Sequence, residues 1–106
     1  MITGKNYVGS QLLAGGTKTY KTINPQWNIE NPWTFTEASP EEIEQAVALA
    51  DDAFKIYKNY PAAKKAAFLN AIADEILELG DALLEIYCTE SGFLKGRAES
   101  ERGRTI

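Results

Sequence analysis

The chain has 106 residues, 44% of them hydrophobic and 25% charged, with 11 Lys and Arg set against 15 Asp and Glu. That length allows one domain at most, one that buries roughly 65% of the surface its unfolded form exposes, and the composition excludes a disordered or fibrous chain. The formal charge of −4 excludes a general nucleic-acid binder, which needs surplus cations to displace counterions from phosphates.

Residues 1–39 and 40–106 differ in character. In the first part Gly4, Gly9, Gly15, Gly16, Pro25 and Pro32 separate short runs rich in Tyr, Val, Thr, Ile, Trp and Phe, the spacing of short strands and turns. It predicts strands over 6–10, 19–24 and 33–37, with Gly15-Gly16 turning the chain between the first two. Ser39-Pro40-Glu41-Glu42 then opens a helix. Ser39 caps it, Pro40 suits the first helical position, and Glu42 reaches back to the cap. Ile43, Ala46, Val47, Ala50, Ala53, Phe54 and Tyr57 recur at spacings of three and four, which predicts one buried face. Pro61 begins a second helix with an apolar stripe of Phe68, Leu69, Ile72, Ala73, Ile76, Leu77 and Leu79. Gly80 ends it in a left-handed conformation, and Asp81 caps a third helix that carries Leu83, Leu84, Ile86 and Tyr87 and closes near Gly92. Residues 93–106 start a further helix. It opens and stops at Ile106, so we expect a piece of a larger protein. The fold class is therefore α+β, with short N-terminal antiparallel strands followed by two or three packed amphipathic helices.

Charge follows the same division. Residues 40–94 set eleven acids against four cations, whereas residues 95–106 set Lys95, Arg97, Arg102 and Arg104 against Glu99 and Glu101. Interleaved charge of this kind reads as a solvated helix face. The first ten residues lack the apolar core of a signal peptide, and no run approaches the ~18 apolar residues of a membrane span. The expectation is a soluble, cytoplasmic protein that engages neither membrane nor nucleic acid.

Few side chains suit catalysis. Cys88 is the one strong nucleophile, and with no His in the chain it lacks both a base and a metal-site companion. Its place beside Ile86 and Tyr87 predicts a buried structural thiol. Asp51-Asp52, Asp74-Glu75 and Glu99/Glu101 read as solvated, since adjacent helical residues diverge by about 100°. The glycines fit neither the dinucleotide fingerprint nor the Walker spacing, and no strand, helix, strand rhythm is present to build a nucleotide-binding sheet. Trp27, Trp33, Phe35, Tyr7 and Tyr20 suit strand and hairpin packing or the lining of a groove.

Asn6-Tyr7-Val8-Gly9-Ser10, then Thr22-Ile23-Asn24-Pro25, then Glu37-Ala38-Ser39 before the first helix, and finally Thr89-Glu90-Ser91-Gly92 follow in the order of an aldehyde dehydrogenase N-terminus. The chain resembles that family over essentially all of its length. Gly96-Arg97 and Glu101-Arg102-Gly103-Arg104-Thr105 resemble the branch that oxidises 2-oxoglutarate semialdehyde, also called 2,5-dioxovalerate. Phe93-Leu94 departs from the family's Lys-Pro after the glycine and leaves the turn there open.

The resemblance implies a larger α/β fold, of which residues 1–106 are the N-terminal part of the cofactor domain. It also implies oxidation of an aldehyde to a carboxylate with NAD or NADP, through a thiolate, a Glu-activated water and an oxyanion site. All of these belong to family motifs beyond Ile106, so no catalytic or cofactor-binding residue is expected here. One minor family site maps onto this stretch: a monovalent cation held by backbone at Thr22 and Ile23 and by the Glu90 carboxylate. The expected partners are the remainder of a dehydrogenase or a second copy of the chain; the alternative is a stand-alone helical interaction module.

Overall fold

The computed structural model describes residues 2–106. They form two compact units, one made of the residues up to Thr22 together with Asn31–Tyr60, the other of Ile23–Glu30 together with Pro61–Ile106.

In the first unit, β1 (Asn6–Val8) and β2 (Gln11–Leu13) make an antiparallel hairpin in which Val8 faces Gln11. Gly9 supplies the turn at φ +60°, a conformation that costs glycine little. The predicted turn at Gly15-Gly16 is therefore displaced. Those two glycines instead allow close approach: a Cβ on Gly16 would lie 1.8 Å from the Glu37 carbonyl oxygen. The predicted strand over 19–24 divides, because β3 (Thr19–Tyr20) pairs with β6 (Phe35–Thr36) and the rest pairs elsewhere. Tyr20 and Phe35, directly opposite each other, stack with centroids 5.5 Å apart, the cross-strand aromatic pairing that stabilises small sheets.

Helix α1 (Pro40–Tyr57) starts as its sequence dictates. Ser39 Oγ accepts from the Glu42 amide at 3.2 Å, and Glu42 Oε2 accepts from the Ser39 amide at 2.9 Å, satisfying two donors that the helix start would otherwise leave open. The helix packs on β1, yet Ile43, Val47, Ala50 and Phe54 are all exposed. The buried face expected from their spacing is not covered within the described residues. The apolar centre of this unit is Val8, almost fully enclosed.

In the second unit, β4 (Ile23–Asn24) and β5 (Ile29–Glu30) pair antiparallel and β4 lies on α3. Three helices follow: α2 (Ala62–Glu78), α3 (Gly80–Ser91) and α4 (Lys95–Thr105). Gly80 closes α2 at φ +56°, as its sequence position predicts. Asp81 does not cap α3, which has no side-chain cap bond; it reaches Lys95 Nζ at 3.2 Å instead. Gly92 ends α3 at φ +72° and its amide donates to the Cys88 carbonyl at 2.8 Å, which settles the turn before Phe93-Leu94. Helices α3 and α4 pack together, with Leu84 and Ala98 enclosed. The α2 stripe is mostly exposed, with Phe68, Leu69 and Leu77 open to solvent and Ala73 and Ile76 half-buried. No helix among the described residues is long and apolar enough to cross a membrane.

Candidate functional site

Residues of three kinds were open to chemistry: the acids, Cys88, and the cation set Thr22, Ile23 and Glu90. Asp51, Asp52 and Glu101 are held by local cations. Lys55 Nζ lies 2.9 Å from Asp51 and 3.0 Å from Asp52, and these two carboxylates raise the Lys55 pKa above its ordinary value. Glu101 bridges Arg97 at 2.5 Å and Arg104 at 2.6 Å. Asp74 and Glu75 are exposed. None of these acids converges with another on a shared cleft in the way an acid–base pair requires.

Cys88 is half-buried rather than enclosed. It lines a shallow groove on the second unit with Thr89, Phe93 and Lys95. A second groove of about 280 Å³ on the same unit is lined chiefly by Ile76, Leu79, Leu83, Leu84 and Tyr87, an apolar wall with no acid–base constellation. Arg102 closes its rim and donates to the Gly80 carbonyl at 3.4 Å.

Thr22 belongs to the first unit, Ile23 and Glu90 to the second. The Thr22 carbonyl accepts from the Asn31 amide at 2.9 Å, and its hydroxyl accepts from Asn31 Nδ2 at 3.0 Å and from Trp33 Nε1 at 3.2 Å. Because Thr22 and Asn31 form a hydrogen-bonded pair, the next pair, Ile23 with Glu30, is the non-bonded kind. The Ile23 carbonyl consequently turns away from β5. Glu90 is half-buried near the end of α3. Among the described residues no three His, Cys, Asp or Glu side chains group as a metal site.

A polar cluster drawn from distant parts of the chain is built on Glu42. While Oε2 serves the helix cap, Oε1 accepts from the Gly15 amide at 2.6 Å, so one carboxylate ties the segment after β2 to the start of α1. Capping is legible from Ser39 to Glu42; the Gly15 bond, across 27 positions, has no local signal.

A family model for the aldehyde dehydrogenase family matches residues 12–106. The chain belongs to the aldehyde dehydrogenase family. Alpha-ketoglutaric semialdehyde dehydrogenase 2 of Azospirillum brasilense is 42% identical over 107 residues, covering 99% of this chain and 20% of that protein. Alpha-ketoglutaric semialdehyde dehydrogenase of Acinetobacter baylyi is 32% identical over 101 residues, 95% of this chain and 19% of the relative. Succinate-semialdehyde dehydrogenase (NADP(+)) 2 of Schizosaccharomyces pombe is 31% identical over 93 residues, 88% of this chain and 19% of the relative. The chain thus spans about a fifth of the length of the curated relatives it matches. No solved structure matches it significantly.

Proposed function

We propose that these residues are the N-terminal part of the cofactor domain of an NAD(P)-dependent, oligomeric cytoplasmic enzyme that oxidises a semialdehyde, 2-oxoglutarate semialdehyde in the first instance, to its carboxylate. The observation that carries this reading is the 42% identity, sustained over 99% of the chain, to a relative whose name specifies that substrate. The chain's own contribution is structural. Its helices supply apolar faces, its strands supply edges, and the thiolate, activated water and cofactor contacts come from other parts of the enzyme. The 106-residue chain alone is inactive on this account, because the chain holds no His to serve as the base that would activate Cys88.

A chimera tests the positive half of the proposal. Replacing the matching fifth of the Azospirillum brasilense relative with this chain yields an assembled enzyme that oxidises alpha-ketoglutaric semialdehyde within about tenfold of the parent rate, a loss of about 1.4 kcal/mol or less in transition-state stabilisation. An assembled chimera without activity on that aldehyde would sink the reading of this chain as the equivalent segment of such an enzyme.

The cation reading belongs to the same proposal. Thr22 and Ile23 would contribute carbonyl oxygens and Glu90 a carboxylate, hard donors that suit an alkali cation; the outward Ile23 carbonyl supports it, while the Thr22 carbonyl is turned toward the Asn31 amide and would have to take the cation beside that bond. In the chimera, potassium chloride raises the melting temperature relative to choline chloride, and Glu90→Gln removes most of that rise. Equal melting in both salts would refute the site.

A further inference from the structure

We draw no further inference here: the strongest candidate, the apolar groove of the second unit lined by Ile76, Leu79, Leu83, Leu84 and Tyr87 with Arg102 at its rim, carries nothing because nothing in the structure shows what covers it.

Discussion

Replacing Glu42 with Ala tests how the first unit is held together. The carboxylate is 7% exposed as a residue and accepts two backbone donors, Gly15 at 2.6 Å and Ser39 at 2.9 Å. A hydrogen bond to a charged group contributes about 1.5–3 kcal/mol, and loss of a capping interaction costs about 1 kcal/mol. Gly15 is itself exposed, so water takes up its freed amide and the first figure belongs at its lower end. The expected loss is about 2–3 kcal/mol, a large share of the 5–15 kcal/mol typical of native proteins. In a Trp27→Phe background the remaining Trp33, which donates to Thr22 within the same unit, reports urea unfolding of that unit. With a slope of about 1–1.5 kcal/mol per molar urea for a chain this short, the midpoint falls by roughly 2 M. Glu42→Gln keeps one acceptor and turns an amide toward the other donor, so it lies between Ala and the unmodified chain. Ser39→Ala loses only its own cap bond, about 1 kcal/mol. If Glu42→Ala costs no more than Ser39→Ala, the bond to Gly15 contributes nothing and the clamp is refuted.

Other substitutions follow from the backbone. Gly16→Ala sets a Cβ 1.8 Å from the Glu37 carbonyl oxygen, so it disrupts the first unit outright, seen as loss of cooperative Trp33 fluorescence unfolding. Gly92→Ala combines φ +72° with a contact 3.0 Å from Pro25 Cγ and lowers stability by about 1–2 kcal/mol in urea melts. Gly96→Ala, within α4 and with open space around it, raises helix stability by about 0.5–1 kcal/mol, read from the thermal midpoint by circular dichroism. The raised pKa of Lys55, caused by Asp51 and then Asp52, gives a stability contribution fully present below the ordinary lysine value of 10.5 and lost as pH climbs through the raised value. Because the ammonium is fully exposed the contribution is small, and Lys55→Met flattens stability against pH only in that alkaline window.

What was legible in the sequence was local. The capping box from Ser39 to Glu42 and the left-handed glycines Gly80 and Gly92 depend on neighbours a few residues away, and they stand where the sequence puts them. Strand pairing is not local. β2 and β5 are only three and two residues long, too short for alternation to show, and the chain changes partners at Lys21-Thr22 without a Gly or Pro to mark it. Asp81 had a capping residue's chemistry, but Lys95 claims it across the α3–α4 turn. Periodicity grouped the apolar residues of α1 and α2 on one face each and predicted burial that the structure does not show, because whether a face is covered depends on what lies against it. That partner is not encoded in the stripe itself. The cation set was legible only through family motifs, since two of its three donors are carbonyl oxygens that any residue type provides.

The central claim, that this aldehyde dehydrogenase segment contributes structure and not chemistry, is tested most directly by incubating the homogeneous 106-residue chain with alpha-ketoglutaric semialdehyde and NAD or NADP and following reduced nicotinamide by absorbance. The account predicts a rate no greater than that of the buffer control. Sustained formation of NADH or NADPH, proportional to chain concentration and retained through a further purification step, would contradict it.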